Sequence, residues 1–107
     1  MMARRAALRG GGIAQLLNEG HWKRGKWVSV CYRESREGRW GVLAGRRFGN
    51  AVQRNRIRRR MREIGRGLGL GSTEWEIALF PLKRAGQATH EELSLDMADL
   101  LHRSGVL

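Results

Sequence analysis

Residues 45–66 read GRRFGNAVQRNRIRRRMREIGR, and this stretch decides the fold. Asn50 is a helix N-cap type, and Gln53 stands three residues on to close a capping box. The pattern predicts a helix from Asn50 to about Ile64, with Gly65 as its C-terminal cap. On a wheel of 100° per residue, Ile57, Met61 and Ile64 fall on one side. That stripe needs an apolar surface to cover it, and a sheet is the expected partner. Arg54, Arg58 and Arg62, with Asn55, Arg59 and Arg66, fill an adjacent arc. Arg56, Arg60 and Glu63 lie further round.

Nine arginines stand in this stretch against the single acid Glu63, a net +8 of the chain's +11. Like charges four residues apart, as in Arg54, Arg58 and Arg62, cost a few tenths of a kcal/mol per pair in an isolated helix. An ordinary solvated face would intersperse acids among them. The sharper expectation is a helix that tracks phosphates, whose repulsion the partner's charge offsets. Asn55, in the middle of the arc, adds a group able to hydrogen-bond a base edge or a 2′-hydroxyl.

The rest of the 107 residues agrees with one basic domain, spanning residues 1–107. Lys and Arg number 21 and Asp and Glu 10; of the 21, 18 are arginine, whose planar fork suits bidentate phosphate contacts. No run of 18 apolar residues exists, and Met1 to Arg9 lack the apolar core of a signal peptide, so a cytoplasmic protein with no membrane partner is expected. The lone cysteine, Cys31, makes no internal disulfide.

Working outward, Gly10, Gly11 and Gly12 interrupt the chain before a short helix that carries Ile13, Leu16 and Leu17 and ends near Gly20. Trp27 to Tyr32 reads as a strand, Ser35 to Gly38 as a turn, and Trp40 to Ala44 as a second strand, a hairpin partner of the first. Alternation places Trp27, Ser29, Cys31 and Arg33 on one face and Val28, Val30 and Tyr32 on the other, core-facing one. After a glycine-rich loop at 67, 69 and 71, Glu74 to Phe80 forms a further strand, ended by Pro81. Thr89 and Glu92 make a capping box for a last helix, where Leu93, Met97, Leu100 and Leu101 face the core. The expected class is α+β with a single sheet packed with helices, in the order helix, strand, strand, helix, strand, helix.

Residues 46–59 (RRFGNAVQRNRIRR) closely resemble the signature of the bacterial ribonuclease P protein family: two basic residues, an apolar one, Gly-Asn-Ala-Val, a free position, then Arg-Asn-Arg-apolar-basic-Arg. The resemblance extends over roughly residues 8–105 and is strongest from 46 to 63. It implies a left-handed βαβ crossover through the Trp40 strand, the Asn50–Ile64 helix and the Glu74 strand, a hand opposite to that of about 98% of such connections. It implies a protein subunit that helps a catalytic RNA remove the 5′ leader of precursor tRNA, as a monomer in a 1:1 protein–RNA complex. The cutting would then belong to Mg²⁺ held by the RNA and the substrate. Arg46, Arg47, Asn50, Arg54, Asn55, Arg56, Arg58, Arg59 and Arg62 would contact RNA. A cleft between the first helix and the sheet would hold the leader. Ile13 and Leu17 are its first candidates, and Trp27, set by alternation opposite the valines, is a candidate for stacking on a base. The chain departs from the family pattern where Ile13 and Leu17 replace phenylalanines, where Leu82 replaces an arginine, and where Gly10 to Gly12 replace a basic stretch.

No protein-borne catalytic or metal site is expected. Hydrolysis of a phosphodiester by side chains calls for clustered carboxylates or paired histidines, and the acids here are scattered. Asp99 and His102, three residues apart, are the nearest approach to a metal pair. Two alternatives stay open on sequence: a ribosomal or other structural RNA-binding protein, and a stand-alone nuclease.

Overall fold

The computed structural model describes residues 10–107. Its helices are α1 (Gly10–Glu19), α2 (Ala51–Gly67) and α3 (His90–Arg103), and its strands are β1 (His21–Arg24), β2 (Val28–Glu34), β3 (Trp40–Val42) and β4 (Trp75–Pro81). Short 3₁₀ turns at Leu70–Ser72 and Lys83–Gln87 flank β4. The four strands form one sheet in the order β1-β2-β4-β3. β2 runs antiparallel to both β1 and β4, while β3 runs parallel to β4.

This order corrects the expected hairpin: β4 lies between the Trp27–Tyr32 and Trp40–Ala44 segments. β4 is the natural central strand because Ile77, Ala78 and Leu79 are all buried, an apolar run covered on both faces. The chain enters β4 from β3 through α2, so β3-α2-β4 is the parallel crossover. A strand was also missed. His21 to Arg24 is exposed at the sheet edge and too short to show alternation, and it adds a third strand before α2. The expected strand from Trp27 starts instead at Val28, after a bend at Lys26 and Trp27, and runs on to Glu34. Gly10 to Gly12 do not interrupt the first helix; α1 begins at Gly10.

The sheet is covered on both faces. On one, Val28, Val30, Ile77 and Leu79 meet Ile57, Met61 and Ile64 of α2 and Leu93, Met97, Leu100 and Leu101 of α3. On the other, Leu16 of α1 sits on Cys31 and Ala78, with Ile13, Leu17, Leu43 and Phe80 packed around it. Fully burying a leucine-sized side chain contributes about 1.5–3 kcal/mol. Four such residues are fully buried on α3, so this helix is fastened to the sheet by its apolar stripe.

Two polar devices fix the layers. The Asp96 carboxylate of α3 accepts backbone N–H bonds from Lys26, Trp27 and Val28 at 2.9, 2.7 and 3.1 Å, which anchors the bend before β2. A Cβ on Gly25 would come within 2.6 Å of that carboxylate. On the opposite face, Arg33 donates to the buried Glu76 at 2.6 Å and to Glu19 of α1 at 2.7 Å, tying α1 to the sheet.

Gly65 is not the cap of α2. The helix continues to Gly67, Leu68 is the C-cap, and Gly69 supplies the left-handed backbone, at φ +75°. Gly65 is buried under the Trp40 ring, where a Cβ would lie 2.5 Å from the indole. Its role is to let α2 approach β3. Among the described residues no helix is long and apolar enough to cross a membrane.

Candidate nucleic-acid interface

The N-terminus of α2 is built by reciprocal hydrogen bonds. Asn50 Oδ1 accepts from the Gln53 amide at 2.9 Å, and Gln53 Oε1 accepts from the Asn50 amide at 2.8 Å. A Cβ on Gly49 would collide with Gln53 Oε1, so Gly49 and Asn50 together make this cap possible. The Asn50 side chain is therefore engaged in starting the helix.

Beyond the cap, several arginines are held by carbonyl oxygens. Arg54 donates to Gly49 O at 3.0 Å, Arg58 to Ala44 O at 2.9 Å, and Arg60 to Ala88 O at 2.7 Å. Such bonds aim a guanidinium without neutralising it, because a carbonyl accepts a hydrogen bond but carries no charge. Among the described residues no α2 arginine pairs with a carboxylate; the ion pairs belong to Arg33, Arg39 and Arg103. Asn55 Oδ1 accepts from Arg58 at 3.1 Å, so this exposed amide orients a cation and turns its NH₂ group to other partners.

The helix divides its charge between two depressions. Arg58 joins Arg46, Arg47, Leu43 and Phe80 around one of about 570 Å³. Arg56 and Arg60 join Lys83, Gln53 and Gln87 around another of about 300 Å³ on the other flank. The structure thus brings Arg46, Arg47 and Arg58 together and sets Arg56 apart from them. Arg59 and Arg62 are exposed on the outer side of α2, and Arg54 is half-buried beside the cap.

The apolar floor beside the first depression differs from expectation in one residue. Ile13 and Leu17 are half-buried on the α1 face of the sheet, together with Leu43 and Phe80. Trp27 is not with them. It packs against the opposite core, with Lys26 and Arg84 placed 5.4 and 5.7 Å from its ring. The alternation rule holds along β2, but Trp27 precedes that strand, in the bend that Asp96 grips, so its side chain turns to the α3 side. Aromatic residues that sequence reasoning passed over take the place intended for it. Phe80 closes β4 on the α1 face, and Trp22 of β1, 52% exposed, stacks on it at 5.3 Å between ring centroids. Extending the alternation of β4 from Ala78 would have found Phe80.

The acids nearest to a metal pair are occupied elsewhere. Asp99 pairs with Arg103 at 2.9 Å, and His102 Nδ1 lies 2.8 Å from Ala98 O, so the suspected metal pair is committed to its own helix. Among the described residues no three His, Cys, Asp or Glu side chains are grouped to hold a metal ion. Burial pushes the Cys31 thiol up from its ordinary value, against a smaller opposing pull from Arg33, which leaves it a poor nucleophile at neutral pH.

A family model described as Ribonuclease P matches residues 2–105. Curated relatives called ribonuclease P protein component are 36% identical over 101 residues in Thermus scotoductus, covering 94% of this chain and 61% of the relative, and 40% identical over 85 residues in Chloroflexus aggregans, covering 76% and 63%. The chain thus spans about three fifths of the length of these relatives. Among solved structures, the RNase P protein from Thermotoga maritima superposes with a TM-score of 0.80 at 26% identity, covering 92% of this chain and 97% of that one. The Staphylococcus aureus RNase P protein gives 0.82 at 21% identity, covering 98% of each chain, a likeness of fold.

Proposed function

Because the chain belongs to the ribonuclease P protein family, we propose that it is the protein subunit of ribonuclease P, binding the catalytic RNA and the precursor-tRNA 5′ leader to promote endonucleolytic removal of that leader. The observation that carries this reading is the α2 arginines, which among the described residues have no carboxylate to neutralise them. A segment of +8 held this way is a standing attraction for a polyanion, and each phosphate it neutralises releases condensed counterions. Arg46, Arg47, Arg54, Asn55, Arg56, Arg58, Arg59 and Arg62 are the proposed RNA contacts, and Asn50 serves them by capping the helix. Ile13 and Leu17 supply an apolar wall for the leader on the far side of the sheet.

In this reading the protein does not cut. Glu19, Glu37, Glu76, Glu92, Asp96 and Asp99 are engaged by backbone amides or guanidinium groups, and among the described residues the acids do not cluster in threes, an arrangement that does not fit a metal-assisted hydrolytic centre, so Mg²⁺ is assigned to the RNA and the substrate. The protein contributes positive field and leader contacts, acting as a monomer in a 1:1 complex in the cytoplasm. The test is precursor-tRNA cleavage at low Mg²⁺ with protein alone, RNA subunit alone, and both. Only the combination should cleave. Cleavage by the protein alone would make it a nuclease, and no stimulation of the RNA would return it to the structural RNA-binding proteins.

A further inference from the structure

Neither Ile13 nor Leu17 has a π-face, so α1 brings no stacking surface to its own side of the sheet. Trp22 and Phe80 do. They belong to strands that are not neighbours: Trp22 is opposite Cys31 in β2, and Phe80 is opposite Ser29. Residues opposite one another in an antiparallel pair share a face, so all four lie on the α1 side. Ser29 and Cys31 are small, and the two rings meet above them, tilted by 31° at 5.3 Å. A tryptophan left 52% exposed on an edge strand is an aggregation liability unless something covers it.

Charge defines what that cover is. Arg24, opposite Ser29 on the same face, stands at the β1 end of the strip. Arg46, Arg47 and Arg58 stand at the β3 end, around the depression that Phe80 shares. An aromatic floor with cations at both ends fits a single-stranded nucleic acid, whose bases stack while its phosphates meet the arginines. A protein partner with an apolar surface would match the rings but not the terminal charges.

We propose that Trp22, backed by Phe80, is the stacking platform for a nucleobase of the single-stranded 5′ leader, placed at the β1 edge of the sheet, and so a specificity-determining residue of the leader site. This rests on the reading of the α1 side of the sheet as the leader-binding face. Phe80 fixes the indole plane, and the exposed indole face receives the base.

The test uses the full chain assembled with its RNA subunit and measures Kd for precursor tRNAs that carry one abasic nucleotide at successive leader positions, with mature tRNA as the reference. With the wild-type protein, one or two abasic positions should weaken binding by roughly 5- to 150-fold, the range expected for one base–aromatic stack. Trp22→Leu, which keeps apolar bulk without the ring, should weaken the intact leader by a similar factor and become indifferent to those abasic positions. Trp22→Tyr should retain most of the affinity, and mature tRNA should bind alike to all three proteins. The platform is overturned if Trp22→Leu binds the intact leader as wild type does while the abasic positions still matter, since the leader is then read elsewhere. It is also overturned if Trp22→Tyr falls as far as Trp22→Leu, which would make the loss one of packing. If neither leader length nor any abasic position affects the wild-type complex, the leader-binding reading itself fails. The three failures are distinguishable from one another.

Discussion

α2 and α3 lie on the same face of the sheet and are built by the same local rules. Each starts with a reciprocal capping box, Asn50 with Gln53 and Thr89 with Glu92. Each buries an apolar stripe against the same core. Their outward faces are opposite in character. α2 carries seven arginines and one acid, whereas α3 carries Glu91, Glu92, Asp96 and Asp99 against one arginine. The α3 acids are mostly matched, by Arg103, by the cap and by three backbone amides. Three of the α2 cations, Arg54, Arg58 and Arg60, are aimed by carbonyls, and none of the seven is paired with a carboxylate among the described residues. Two helices with the same inward chemistry therefore separate what the fold needs from what the partner needs. α3 acts as an internal control for α2.

The largest effect that tests this division lies in α3. Leu93 is fully buried, and Leu93→Ala should lower unfolding free energy by about 2–5 kcal/mol. Denaturant melts check the loss. RNA affinity per folded molecule, measured below the melting temperature, should not change. A specific RNA defect there would mean α3 takes part in binding and the control is void. The next effect lies at Gly65. Glycine to alanine inside a helix ordinarily gains up to about 1 kcal/mol. Here the new Cβ meets Trp40 at 2.5 Å, so Gly65→Ala should instead destabilise by about 1–3 kcal/mol. A stabilised variant would show that the indole moves aside.

How much of this was legible in sequence follows from how local each signal is. Both long helices could be read because caps and 3.6-residue periodicity are written within one segment. Residues 46–59 also carried the family. The strand order could not be read, because the pairing of β4 with both β2 and β3 depends on contacts between residues tens of positions apart. β1 escaped notice because a four-residue edge strand with three exposed residues needs no apolar alternation. Gly65 was misread because a glycine near a helix end looks the same whether it caps or makes room for an indole. Trp27 was misplaced because its orientation depends on Asp96, 69 positions away. For the same reason Trp22 and Phe80 gave no sign of meeting, since the small residues between them belong to a third strand.

On the outward face of α2 a smaller, sharper effect is expected. Arg58→Ala should weaken binding to the RNA subunit by on the order of 1 kcal/mol and reduce the slope of log K against log salt by about 1. Glu91→Ala, on the exposed side of α3, should leave the slope alone. Asn55→Ala should also cost on the order of 1 kcal/mol, with the slope unchanged because no charge is removed. An unchanged slope for Arg58→Ala would take that arginine out of the interface. A reduced slope for Asn55→Ala would mean that the amide acts only by aiming Arg58, to which it is bonded at 3.1 Å.

The smallest effect separates the two caps by chemistry. Gln53 and Glu92 occupy the same N3 position, but only Glu92 titrates. Its carboxylate is held below the ordinary value of 4.5 chiefly by the hydrogen bond from the Thr89 backbone amide; burial opposes this, and the Thr89 hydroxyl and Lys26 add smaller downward pulls. A carboxylate with a lowered native pKa stabilises the folded state at pH values above its unfolded pKa. That contribution is lost as pH falls through the lower, native value. The first turn of α3 should therefore loosen as pH drops below about 4.5, while the first turn of α2, capped by an amide, should not. Side-chain and amide chemical shifts recorded through an acid titration would follow both ends in one sample. Glu92→Gln should keep the reciprocal bonds and remove the pH response. If the α2 N-terminus drifts in step with that of α3, the loosening is global acid unfolding, and the capping carboxylate is not its cause. If α3 alone responds and Glu92→Gln silences it, the two helices differ at this end by a single ionisable group.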